Sequence, residues 1–358
     1  MPLRRLPMLL FGLLLWPVPS QAGAGAGTEI KSGISGRSRL DLSGGNVSVL
    51  TSQVLLGFGD IVEIDLESNT IESIEVGAFE GVPRLQRLCV CNNRIHVVEK
   101  GSFDGVPSLT DLGLCHNQIW MIESDSLSGL TSLTYLYGSI PGRVNCDQLN
   151  SVYVVRSSLN SNRFQMVQKH MLLGLSSLTH LRLDDNLIEW IDEDAFLPVP
   201  MLEMLFVSTV RAFGGRHGTL AGTLHRRLDN NLLQTIEAGL FKGLPSLVDL
   251  ALGHNNIDAI ENGAFSQLSS LDRLDLQGNQ IRSVRKGALS GMVSLTCIWL
   301  QENRIETIED GAFSGLPSLD EVVLAGNPLC QSPAFAHVES LLELRRNWGL
   351  PMSATVEC

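Results

Sequence analysis

The sequence predicts a solenoid, a pile of equal coils wound around one continuous core, and two observations predict it. The first is a fixed period. The segment LVDLALGHNNIDAIENGAFSQLSS, from Leu247 to Ser270, places apolar residues at Leu247, Leu250, Leu252, Ile257, Ile260 and Phe265, and the pattern restarts 24 residues on at Leu271, then at Leu295 and Leu319. The second is an asparagine at one point of every unit, here Asn255. Self-similarity at a fixed period outranks any local secondary-structure signal, because each coil can bury its apolar face only against its neighbours. The chain of 358 residues therefore builds one long core rather than several domains.

The totals fit a scaffold of this kind. Hydrophobic residues make up 44% of the chain, yet there are only 12 Phe, 5 Trp and 3 Tyr, so aliphatic side chains fill the coils. A formal charge of −12 argues against nucleic acid, whose phosphates need a basic footprint.

Taken in order, residues 1–22 read as a secretory signal. Arg4 and Arg5 give a positive start, Met8 to Trp16 is an apolar run, and small residues suit cleavage after Ala22 or Ala24. An N-terminal anchor is the alternative, but the run falls short of the ~20 residues a membrane span needs. No later stretch is long and apolar enough either, so the expected location is secreted, outside the cell. Residues 23–36 are rich in Gly and Ser and are expected to be a flexible leader. The first coil begins near Arg37, with Gly45 where the asparagine belongs, as suits a terminal coil. Asn46-Val47-Ser48 is a glycosylation sequon.

Regular coils then start at Ile61, Leu85, Leu109, Leu133, Leu178, Leu202, Leu247, Leu271, Leu295 and Leu319. With the Arg37 coil there are about eleven, over residues 37–329. The asparagine column is Asn69, Asn93, Asn117, Asn162, Asn186, Asn231, Asn255, Asn279, Asn303 and Asn327. Each LxxLxLxxN unit alternates as a short strand does, and the carboxamide can pair backbone groups that the following turn would leave unpaired inside. Phe79, Phe103, Phe196, Phe241, Phe265 and Phe313, with leucine elsewhere, form a second apolar column. Residues 330–358 close the array. Phe335, Val338, Leu341, Leu342 and Leu344 give an amphipathic segment, and a Cys330–Cys358 bridge would pin it.

The pattern LxxLxLxxNxI…GAFxGLPSL resembles the extracellular, 24-residue class of leucine-rich repeat, found in Toll-like receptors, Slit proteins, small leucine-rich proteoglycans and variable lymphocyte receptors. The resemblance covers about residues 37–329. It implies an α/β solenoid: a right-handed horseshoe with a parallel sheet on its concave face and little regular helix. It also implies binding, usually of protein and sometimes of glycan or lipid. No cysteine precedes Cys89, so the usual N-terminal cysteine cap is missing, and the C-terminal cap has two cysteines instead of the common four.

Two interruptions break the period. Leu133 to Leu178 and Leu202 to Leu247 each span 45 residues, 21 more than the repeat. Removing 138–158 and 207–227 restores perfect coils. Both breaks fall within the strand, a poor place for a loop because the chain must leave and re-enter a parallel ladder. Loops over the concave face are one reading. Unremoved intervening sequence, in frame because its length is a multiple of three, is the other and the favoured one.

Positions 3, 5 and 7 of each coil are expected to face solvent on the concave side. There, Tyr135, Tyr137, Met204 and Phe206 flank His180 and Arg182, with Trp299 further along. These residue types dominate interface energies, although Tyr and Phe are also good strand formers. Glu75, Glu99, Glu123, Asp192, Glu237, Glu261 and Glu309 form an acidic column. A role in supporting the backbone amides of the outer turns outweighs cation binding there. Cys91 and Cys115 share one column in successive coils, which suits a disulfide. The eight histidines show no metal-ligand spacing, and no nucleophile or phosphate-loop motif is present, so neither enzyme activity nor a cofactor or metal is expected.

The expected function is a secreted protein that recognises a macromolecule through its concave face, most naturally a protein and alternatively a glycan. The competing readings are a structural matrix component resembling proteoglycan cores, in which homodimerisation matters, and a receptor ectodomain truncated before its membrane segment.

Overall fold

A computed structural model describes residues 33–34, 38–136, 161–207, 231–333, 346–351 and 354–358. It is the solenoid of parallel strands that the period predicts. Thirteen strands form one sheet in chain order: Gly33–Ile34, Arg39–Asp41, Glu63–Asp65, Arg87–Cys89, Asp111–Gly113, Tyr135–Leu136, His180–Arg182, Met204–Phe206, Asp249–Ala251, Arg273–Asp275, Cys297–Trp299, Glu321–Val323 and Thr355–Glu357. All neighbours pair in parallel except the first two. Residues 33–34, expected to be leader, thus add an antiparallel strand that covers the edge at Arg39–Asp41. The opposite side carries two-stranded ladders, such as Val97–Val98 with Met121–Ile122 and Met166–Val167 with Trp190–Ile191, joined by turns. Helix is almost absent among the described residues, as a coil of only 24 residues requires.

The alternation of each strand drives the packing. Leu250, Leu274 and Ile298 pair in register and are fully buried, as are Leu252, Leu276 and Leu300 on the next inward column. The phenylalanines stack from coil to coil, with ring centroids 5.7 Å apart for Phe79 and Phe103 and 5.8 Å for Phe241 and Phe265. Fully burying a side chain of this kind stabilises by about 1.5–3 kcal/mol, so each coil depends on the one before it.

The asparagines join the coils through polar bonds inside this apolar stack. Asn279 Nδ2 donates to Leu252 O at 3.0 Å and to Leu276 O at 2.9 Å, while its Oδ1 accepts from Ile257 N at 3.0 Å. The same set recurs at Asn69, Asn93, Asn117, Asn303 and Asn327. The residue just before the asparagine turns left-handed, for example His116 (φ 49°), His254 (φ 51°) and Gly278 (φ 64°). This explains why those two histidines share a position: the turn selects for backbone geometry, not for imidazole chemistry.

The coils close across both interruptions. Tyr135 and Leu136 pair with His180 and Leu181, and Met204, Leu205 and Phe206 pair with Asp249, Leu250 and Ala251. Asn162 accepts from Ile119 N and Asn231 from Ile188 N, partners 43 residues apart in sequence where the regular distance is 22. The excess is the 21 residues of each interruption, so the ladder ignores them. One boundary shifts by a residue. Val207 is fully buried in the inward column, and its carbonyl accepts from both Asn231 and Asn255, so the second interruption begins after Val207 rather than before it. Residues 138–158 and 208–227, together with the proposed signal, lie outside the described residues.

The C-terminal end closes by an unexpected device. Trp348 is buried against Phe313, 6.5 Å between centroids, and Phe313 N donates to Trp348 O. Thr355–Glu357 then adds a parallel strand to Glu321–Val323. A Cys330–Cys358 disulfide ties this strand to the last coil, with Cα atoms 5.4 Å apart. Residues 335–344, the expected amphipathic cap, lie outside the described residues.

Candidate ligand-binding face

The thirteen-stranded sheet places the third, fifth and seventh residues of each coil side by side, about 4.8 Å apart between strands. Mid-array this brings together Tyr135, His180, Arg182, Met204 and Phe206, all in register. Tyr135 is 43% exposed, and its ring centroid lies 4.9 Å from that of His180. The His180 Nδ1 is 2.8 Å from Thr179 Oγ1. Burial holds the His180 pKa below its ordinary value, so the ring is neutral at physiological pH.

Arg182 and Phe206 depart from the expected full exposure; they are 6% and 2% exposed. The Arg182 guanidinium forms a two-pronged bond with Asp184, at 2.9 and 3.1 Å, and lies 5.0 Å over the Phe206 ring. A fork held at both nitrogens and covered by a π-face is fixed in place. This trio is therefore a rigid floor, with Tyr135, His180 and half-buried Met204 forming the part that a partner can reach. Concave curvature turns neighbouring side chains toward each other, a crowding that residue spacing alone does not reveal. Tyr137 lies outside the described residues.

Trp299 stands apart from that group, half-buried, three strands further along and in register with Asp275. Asp275 is largely sealed, and its carboxylate accepts from Gln277 N at 2.9 Å and Gln277 Nε2 at 3.3 Å. Burial raises its pKa to about 6 despite those bonds. Gln301 Nε2 continues the chain to Gln277 Oε1 at 2.8 Å. Arg273 clasps Asp249 on the neighbouring strand, so basic and acidic groups on this face are largely matched to one another.

At the N-terminal end the face is acidic. Arg87 pairs with Glu63 at 2.7 Å, and Arg39 lies near both Glu63 and Asp65. Cys91 and Cys115 are buried thiols, not the bridge that their shared column suggested. Successive residues of one column in a parallel ladder point the same way, so their Cβ vectors run side by side instead of converging as a disulfide needs.

The outer acidic column supports backbone, and it does so between coils. Glu123 accepts from Lys100 N, Glu261 from Ala238 N and Glu309 from Lys286 N, each at 2.9 Å. Each carboxylate caps an amide of the preceding turn. The sequence reading overlooked a group of exposed apolar residues away from the concave face: Trp120, Met166, Leu187 and Trp190, with Met166 and Trp190 directly paired. Trp120, in a column otherwise made of polar residues such as Glu72, His96, Gln165 and Glu189, was the available signal.

Four segments, 83–137, 158–209, 227–281 and 269–329, match the family model described as leucine rich repeat, and together they cover more than half of the chain. The chain belongs to the leucine-rich repeat family. No curated protein matches the sequence significantly. Among solved structures, the leucine-rich repeat protein takes the same fold as a chain in the octameric complex of latrophilin 3, Unc5D and FLRT2, whose leucine-rich repeat component is FLRT2. The TM-score is 0.65 at 19% identity, over 89% of this chain and 83% of that one. It is also similar to a chain in the Toll–Spätzle complex of Drosophila, with a TM-score of 0.62 at 20% identity, over 89% of this chain and 40% of the other. At these identities the likeness concerns the fold. Among the described residues no helix is long and apolar enough to cross a membrane.

Proposed function

We propose that this leucine-rich repeat protein is an extracellular, secreted binding protein that captures a protein ligand in the concave face and carries out no chemistry. The observation that carries the proposal is the mid-array group: exposed Tyr135 with its ring tilted against His180, beside Met204, above a floor of Phe206 clamped by Arg182 and Asp184. A rigid floor under reachable aromatic and sulfur-bearing groups is what an interface centre needs, because little side-chain entropy is lost on docking. The two similar structures are both of complexes between proteins, which supports a protein ligand for this chain.

The test begins with capture of partners from extracellular fluid by the full chain. Tyr135→Ala and Met204→Ala are each expected to weaken the captured partner's binding by tenfold or more, with Arg282→Ala on the outer surface as control. Unchanged binding in both concave variants would refute the assignment.

A further inference from the structure

Outside the proposed docking centre, a cluster of donor atoms lies at the N-terminal end of the sheet. Asp65 and Glu67 lie on one strand and its exit, and Cys89 pairs with Asp65 on the next. One carboxylate oxygen from each acid and the Cys89 sulfur lie within 4.8 Å of one another, and all three residues are half-buried. We propose that Asp65, Glu67 and Cys89 form a zinc site, binding the ion through two carboxylate oxygens and one thiolate.

The donor set selects the metal. A thiolate disfavours calcium and magnesium, which take oxygen ligands, while mixed oxygen and sulfur donors suit Zn²⁺. Zinc bonds of about 2.0–2.3 Å place neighbouring ligand atoms closer together than 4.8 Å, so small side-chain rotations close the site without moving the ladder. The groups are also pre-aimed. Asp65 Oδ1 accepts from Glu67 N at 3.0 Å, and Glu67 Oε1 accepts from Asn92 Nδ2 at 2.7 Å. These are the kind of outer contacts that orient metal ligands. The buried Cys91 thiol is hydrogen-bonded to that of Cys89 and lies outside the three-donor set. Arg39, 3.5 Å from Asp65, opposes the ion's charge, but Glu63 also engages it at 3.4 Å and offers it an alternative partner. On binding, the Cys89 proton passes to solvent, so affinity rises with pH.

The experiment uses the full chain, reduced and metal-free, titrated with Zn²⁺ by calorimetry and with Cd²⁺ by ultraviolet absorption. One equivalent of each ion is expected, with a thiolate-to-cadmium charge-transfer band. Cys89→Ser abolishes the band, and Asp65→Asn and Glu67→Gln each weaken Zn²⁺ binding at least tenfold. Cys297→Ser keeps both ion binding and the band, and circular dichroism checks that each variant is folded. An unchanged band in folded Cys89→Ser overturns the proposal, as does failure of the reduced chain to bind either ion. A Cys89–Cys91 disulfide in protein taken directly from the medium overturns it too. None of these readouts depends on a partner for the docking centre, so the two readings fail separately.

Discussion

Replacing Asn279 with Ala tests whether the carboxamide column holds the coils together. Ile257 N–H loses its partner, while Leu252 C=O and Leu276 C=O each lose one of two, keeping the bonds from Asn255 Nδ2 and Asn303 Nδ2; all three groups lie in fully buried residues. The orphaned N–H costs about 1–3 kcal/mol and each of the two lost carbonyl bonds about 0.5–1.5 kcal/mol, which bounds the loss at about 2–6 kcal/mol. A water entering the polar space left by the carboxamide would recover part of this, so about 3 kcal/mol is expected. Asn256→Ala serves as control; its half-buried side chain accepts only a 3.3 Å bond from Gln280, and a loss below about 1 kcal/mol is expected there. Urea unfolding followed by circular dichroism gives the difference, and hydrogen exchange locates it. Coils couple mainly to neighbours, so the Ile257 amide should lose protection before those near Leu88. If Asn279→Ala cost no more than Asn256→Ala, the carboxamides would be decoration and the reasoning would fail.

Two further outcomes follow from the same structure. Asp275 has a folded-state pKa raised to about 6, against 3.8 ordinarily, so its contribution is fully present below about pH 4 and is lost as pH rises through 6. The gap corresponds to about 3 kcal/mol as an upper value. Asp275→Asn should therefore be more stable than the parent at pH 7.5 and no more stable at pH 4, as urea midpoints at both values will show; a constant difference would contradict the burial argument. Deleting 208–228 should leave the thermal midpoint unchanged or raised, because Val207 already bonds to Asn231 across the gap and a shorter loop costs less closure entropy. An unfolded deletion variant would show that the segment belongs to the core.

Much of the architecture was legible because repetition multiplies weak local signals. Leu274 alone is uninformative, but Leu250, Leu274 and Ile298 at one spacing can be buried together only in a stack of coils. The candidate site was partly legible. Register followed from the period, so Tyr135, His180 and Met204 could be placed side by side before any coordinates. Their differing exposure could not, since it depends on which neighbour fills the space: Arg182 turns toward Asp184 and lies on Phe206 instead of reaching into solvent.

The sequence by itself determined the period, the inward columns and the asparagine column, because those follow from chemistry within one coil and its repetition. Only the tertiary structure decided what happens between coils and at their ends. It caps an amide of one turn with a carboxylate of the next, seats Val207 in the inward column, and closes the array with Trp348 and a final strand. It also keeps Cys91 and Cys115 as thiols and brings Asp65, Glu67 and Cys89 together. The reason is physical: a repeat fixes distances along the stack, whereas the direction in which a side chain points, and what shelters it, is set by atoms that no single coil contains.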